Sequence, residues 1–395
     1  MKSLNFTGNG FEYFKIWIVN ILLTIVTLGL YYPWAKVRNR RYFYANSTME
    51  GRNFEYHATG KQLFLGYLIA MGLFIAYIVL QNISPVLSGI ALLILFLGFP
   101  WVIWRSLKFN MRMSSFSNVR FGFENGLGGA YINYLLLPIL LIIIVYGIPV
   151  AAFILAMQNT GLAGGTPIFI AGAIATVLLG LFFFAFMKKR NTSYAINGYR
   201  YGQGIFTTDV KTKVFLWILL KTIGISILAT IGFSILIAIL ASVTGLAGSL
   251  LELDLNFADP DSMQSIFQNS TMIVLIGLVY FGFILMSMFV LAYFYTRQRT
   301  YVYENSNLDN KINFASSLKA WPFAWVVITN FLLVIVTLGF GMPWAKVRMA
   351  KLLLTNTHVD TSVGIDSYLT QRQEEQSSLG EQIGDAFDVD VGVGF

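Results

Sequence analysis

Apolar positions in this chain come in long unbroken blocks, without the one-face spacing of a soluble amphipathic helix. Six blocks run at about Leu63 to Gln81, Val86 to Trp104, Tyr131 to Ala156, Ile168 to Met187, Val214 to Val243 and Met272 to Tyr295. Each predicts a membrane-spanning helix, because about 18 consecutive apolar residues suffice to cross the hydrocarbon core. The connections between them alternate in charge. Those after Gln81, Met157 and Val243 contain no Lys or Arg, and the last holds Glu252, Asp254, Asp259 and Asp261. The intervening ones carry Arg105, Lys108, Arg112 and Arg120, then Lys188, Lys189, Arg190, Arg200, Lys211 and Lys213, then Arg297, Arg299, Lys311 and Lys319. Basic loops stay on the cytoplasmic side of a bilayer, which orients the chain.

Two further apolar stretches are copies of one device. Asn20 to Arg38 and Asn330 to Arg348 share fourteen of nineteen residues at a constant offset of 310. Each runs from an Asn through an apolar segment to Gly29 or Gly339, breaks at Pro33 or Pro343, and leaves as Trp-Ala-Lys-Val-Arg. Trp34, Lys36 and Arg38, with Trp344, Lys346 and Arg348, are therefore assigned to the membrane interface, where Trp and basic residues anchor helices. Each copy is basic at both ends, Lys15 preceding the first and Lys319 the second. Two arrangements remain. Either each copy turns near Thr27 to Gly29 or Thr337 to Gly339 and returns to the side it came from, or both cross fully, giving six to eight spans in all.

A weaker repeat follows the basic helix ends: Arg52-Asn-Phe, Arg120-Phe-Gly-Phe, Arg200-Tyr-Gly and Lys311-Ile-Asn-Phe. Arg38 to Arg52 and Arg297 to Lys311 are both 14 apart, and Arg105 to Arg120 is 15. The recurrence predicts a helix end, a turn and a short extended segment at each place, pairing into a small cytoplasmic β layer under the bundle.

Composition sharpens the class. Of 395 residues 56% are hydrophobic and 12% charged, against about 25% charged in soluble domains. The fold class is thus an all-α polytopic membrane protein, six firm helices plus two Gly/Pro-broken elements. Met1 to Thr7 has no apolar core before a small-residue cleavage site, so no cleavable signal is expected. The net charge of +8 conceals a division: from Val359 onward eight acids face one base, Arg372, so the tail carries −7 and the rest +15. Residues 1–358 form the membrane domain, and 359–395 are expected to be a flexible acidic tail.

Residues that carry chemistry are few. There is no cysteine, and the two histidines, His57 and His358, are not repeat equivalents. Neither a zinc-protease helix nor a phosphate-binding glycine loop ending in Lys-Ser/Thr is present, and Gly122 to Gly129 reads as a connector. The six blocks hold no Asp or Glu and a single Lys, Lys221, close enough to its block's start to snorkel. The expectation is a non-enzyme, without cofactor or metal. Candidate binding residues are the repeated Asn20 and Asn330, with Thr27 and Thr337 two helical turns later on the same face. They either bridge helices and satisfy backbone freed at the break, or line a site shared by the two copies, as discontinuous repeated helices do in transporters. The acidic loop has no EF-hand spacing. The basic aromatic stretches beside the helices suit anionic headgroups at the cytoplasmic face better than nucleic acid.

Phe6-Thr-Gly-Asn-Gly-Phe-Glu-Tyr-Phe14, Thr27-Leu-Gly-Leu-Tyr-Tyr-Pro-Trp-Ala-Lys-Val-Arg38 and Arg120-Phe-Gly-Phe123 resemble the YjgN family of bacterial inner-membrane proteins. The resemblance extends from the N-terminus through the second device and leaves out the acidic tail. It implies a multi-pass protein of the inner membrane and supplies no activity or catalytic residues. The expected function is binding or passing a lipid or other apolar small molecule. The alternative is a membrane scaffold or regulatory subunit acting through protein partners or as a homo-oligomer.

Overall fold

The computed structural model describes residues 1–164, 166–243, 270–360, 368 and 370–374. The acidic loop containing Glu252 to Asp261 lies outside them. Among the described residues up to Asp360, ten helical segments and eleven short strands alternate in five units, each a strand, two helices and a strand, the first unit's leading strand being split into two.

In the first unit, strands β1 (Lys2–Ser3) and β2 (Asn5–Phe6) lead to α1 (Gly10–Val26), α2 (Tyr32–Ala45) and β3 (Ser47–Met49). The second has β4 (Arg52–Tyr56), α3 (Gly60–Ile83), α4 (Pro85–Arg112) and β5 (Ser114–Phe116). The third has β6 (Val119–Phe123), α5, α6 (Thr166–Gly198) and β7 (Tyr199–Tyr201). Here α5 is a continuous helical run, Leu127 to Gly164, that widens into π turns at Ile132–Leu136 and Ile143–Gly147. The fourth has β8 (Gly204–Thr208), α7 (Thr212–Val243), α8 (Ser270–Glu304) and β9 (Ser306–Leu308). The fifth closes with β10 (Ile312–Ser316), α9 (Ala320–Val336), α10 (Met342–Thr355) and β11 (Thr357–Val359).

Long apolar helices fall where the hydrophobic blocks predict them: six, α3 to α8, have the length and composition to cross a membrane. Their apolar side chains are largely exposed, among them Ile94, Leu178 and Leu228. Such a surface is costly in water, at about 25 cal/mol per Å², and suits hydrocarbon. Consecutive helices pack side by side, and α10 packs on α1, so the helices close into a ring.

The strands close as well. From β2 to β11 each strand pairs antiparallel with the next, and β1 pairs antiparallel with β11. Residues 2–6 are thus bonded on both sides, with the Leu4 N–H donating to the Thr357 carbonyl between the two ladders. The β layer predicted from the sequence is present as a barrel, which leaves no edge open. Its hairpins use two-residue turns with left-handed backbone at Glu50-Gly51, Ser117-Asn118 and Asp309-Asn310, the twist that matches paired strands.

Alternation then selects the interior. The middle residue of each long strand, Phe54, Phe121, Phe206 or Phe314, faces inward, with Leu4 in the same place between β1 and β2. The last residue of each short strand, Met49, Phe116, Tyr201, Leu308 or Val359, faces the same space. Register brings these into opposed pairs, Phe54 with Phe116, Phe121 with Tyr201 and Phe206 with Leu308. Of the short strands that follow a helix, all but β7 open with Ser or Thr, whose hydroxyl donates to a helix carbonyl four residues back, as Ser47 does to Phe43 at 2.7 Å. That bond satisfies an orphan carbonyl and ends the helix at the barrel.

Candidate functional site

The two repeated devices are helical hairpins, α1–α2 and α9–α10. Each first helix ends at Thr27 or Thr337, and the chain reverses through left-handed residues, Leu28 (φ 51°) and Gly29 (φ 92°), or Leu338 (φ 48°) and Gly339 (φ 94°). The Thr hydroxyl fastens the turn. Thr27 Oγ1 donates to the Leu23 carbonyl at 2.7 Å and accepts from the Tyr31 N–H at 2.9 Å, and Thr337 does the same with Leu333 and Gly341.

Asn20 and Asn330 are nearly fully buried, at 3% and 8% exposure, each inside its own hairpin. Asn20 Nδ2 donates to Asn39 Oδ1 at 3.1 Å, and its Oδ1 accepts from Arg38 at 3.3 Å. Asn330 Nδ2 donates to the Ala345 carbonyl and Oδ1 accepts from Arg348, both at 3.0 Å. The four candidate residues thus stitch two helices together, and Arg38 and Arg348 fold inward onto them. Trp34 lies against Gly60 at the start of α3, and Trp344 against Gly10 at the start of α1. A Cβ at either glycine would fall within 2.4 Å of the indole, so glycine is what lets the rings approach.

A recess of about 420 Å³ opens where the two hairpins meet, bounded by α1, α2 and Lys346 of α10. Asn20, Thr24, Lys36, Asn39 and Arg40 line its polar part, and Trp17, Ile21, Ile25 and Tyr32 its apolar part. Asn330 is not among its walls. Burial lowers the Lys36 ammonium from its ordinary value, the Arg40 charge adding to the effect, and burial lowers Lys346 likewise. Thr24, Asn39 and Arg40 escape a search for features common to the two copies. The differences hold the signal, since the second copy has Val334, Met349 and Ala350 there.

The second cavity is the barrel interior, about 430 Å³, walled by the inward residues of the strands. Its helix end reaches Ile196, Val302 and Tyr303. Its turn end is covered by part of the C-terminal tail. Tyr368 is 5% exposed, and its hydroxyl donates to Asp309 Oδ2 at 2.6 Å. Arg372 pairs with the same carboxylate, and Gln373 donates to the Ser117 carbonyl. Burial pushes the Asp309 carboxyl upward, but hydrogen bonds from the Ile205 N–H and Tyr368 and the Arg372 charge outweigh it, holding the group below its ordinary value. Tyr368 is raised, chiefly by burial. The histidines stand apart from both cavities, His57 beside Ser115 and His358 beside Ser317, each at 2.7 Å.

Comparison with known proteins agrees with this architecture. A family model described as bacterial protein of unknown function (DUF898) matches residues 1–386, so the family extends into the tail that the sequence resemblance leaves out. A Salmonella typhimurium protein named inner membrane protein YjgN is 30% identical over 363 residues, 90% of this chain and 88% of the relative. Proteins of the same name from Escherichia coli O157:H7 and K12 are 35% identical over 144 residues, 36% of each chain. No solved structure matches. With six helices apolar and long enough to span and a match over nearly its whole length, this chain belongs to the DUF898 family and is a multi-pass protein of the bacterial inner membrane.

Proposed function

We propose that the protein binds, and passes between membrane and barrel, a lipid or other apolar small molecule. The observation that carries this is the barrel cavity, a space of about 430 Å³ walled almost wholly by aromatic and aliphatic side chains. An apolar cavity of this size holds an apolar ligand better than water. The basic connections put the barrel on the cytoplasmic side, with α3 to α8 spanning and the two short hairpins entering and leaving on that same side. Leu28 and Leu338, 91% and 89% exposed at the hairpin tips, then rest in hydrocarbon.

A diazirine-bearing fatty-acid photoprobe tests the cavity in membranes. Labelled peptides containing Phe121 or Phe206 are expected; label confined to α3 through α8 sinks the proposal. Topology is read separately with single cysteines at Ser3 and Ser377, which are expected to react only from the cytoplasm.

A further inference from the structure

We infer that the recess between the two hairpins is a binding site for a phosphate-bearing ligand, supplied first by the head of an anionic phospholipid. The walls hold three cations, Lys36, Arg40 and Lys346, and no carboxylate. Neither lysine makes an ion pair or hydrogen bond among the described residues. Like charges gathered without a counter-charge repel one another, and an anion placed among them removes that cost. Arg40 is already held in place. Its Nη1 donates to the Tyr56 hydroxyl at 2.8 Å and to Asn110, and the guanidinium lies over the Tyr56 ring at 5.3 Å.

The recess offers both polar and apolar wall, as an amphiphile requires. Arg40 and Asn39 lie in the barrel-side half of α2 and Lys36 one helical turn beyond Tyr32, whereas Ile25 and Tyr32 lie beside the turn. A phosphate among the cations would leave attached acyl chains to the apolar wall of Trp17, Ile21, Ile25 and Tyr32.

Comparison of the two copies shows that the hairpin itself does not demand this cluster. Asn20, Thr27, Gly29, Ala35 and Arg38, which build the hairpin, recur at 330, 337, 339, 345 and 348. Thr24, Asn39 and Arg40, which furnish the recess, become Val334, Met349 and Ala350. One copy thus keeps the scaffold, with its Asn and Lys, but without the other three polar groups. The inference goes beyond the barrel reading, since the two cavities share no lining residue.

The test uses the full chain in detergent, with native mass spectrometry of bound dioleoylphosphatidate against dioleoylglycerol, which has the same tails and no phosphate. Phosphatidate is expected to be preferred. Lys36→Gln with Lys346→Gln should cut that preference about tenfold, the scale of a lost charge-assisted hydrogen bond, and Lys36→Arg with Lys346→Arg should restore it. If the glutamine pair unfolds, each single exchange is read instead, with a partial loss expected. Displacement by millimolar inorganic phosphate would mark free phosphate as an occupant, and persistence would mark the lipid head; both support a phosphate site. Equal retention of the two lipids by the wild type, or an unchanged preference in every folded glutamine variant, overturns it. The photoprobe result in the barrel is unaffected by these exchanges, so either reading can fail alone.

Discussion

Asn330 shows how much depends on one buried amide. It gives its N–H to the Ala345 carbonyl and its oxygen to Arg348, whose second nitrogen bonds Thr329 Oγ1 at 3.0 Å. Replacing it with Leu removes the second donor to the Ala345 carbonyl and leaves part of the Arg348 guanidinium unsatisfied in a largely apolar setting, a penalty of about 1–3 kcal/mol. Asn330→Leu is therefore expected to lower the thermal midpoint in detergent, and Asn20→Leu to do the same. If both melt like the wild type, the stitching role fails. The sequence makes this pair visible through its repetition but leaves bridge and shared site open. In the structure each Asn meets the helix that returns beside it, and Asn20 also borders the recess between the hairpins.

The hairpin as an element depends on its reversal. At Gly339 φ is 94° and nothing lies within 4 Å of where a Cβ would stand. Gly339→Ala thus isolates backbone strain, expected at about 1–2 kcal/mol. Gly60→Ala adds a clash, since its Cβ would fall 2.2 Å from Trp34. It should destabilise more than Gly339→Ala, with a shift in tryptophan emission that the latter lacks; a milder effect at Gly60 would mean the indole moves aside freely. Gly29 and Pro33 mark the break in the sequence, but Gly60 stands there as one glycine among 35. What makes it special is an indole from the preceding helix.

In the whole molecule the barrel joins the chain ends: Lys2 and Ser3 pair with Val359 and His358, and the tail reaches back across the turns. Asp309 ties Tyr368, Arg372 and the Ile205 N–H to one carboxylate. Because its docked pKa lies below the ordinary value, docking is favoured with the group ionised. That contribution is complete above the ordinary carboxylate range, about pH 4, and fades as pH falls through the depressed value. Amide exchange at residues 370–374 should therefore be unchanged between about pH 5 and 8, after correction for intrinsic rates, and faster below that range. Asp309→Asn should bring the faster exchange to neutral pH. A tail equally protected in the variant would show that Asp309 does not hold it.

The six long helices were legible because length and unbroken apolarity suffice: a run of that size reads as a membrane span. The repeated hairpins and the short extended segments were legible too, through identity and spacing. Closure of those segments into a barrel was not, since residues 2–6 and 357–359 look like chain ends until they pair with each other and with their neighbours. Nor was the place of Tyr368, a lone aromatic in an acidic stretch whose burial depends on a cavity mouth formed by strands from distant parts of the chain. Lys36 and Lys346 were recognisable as basic residues at a membrane boundary. Only the ring, by setting the last hairpin against the first, puts them with Arg40 around one recess.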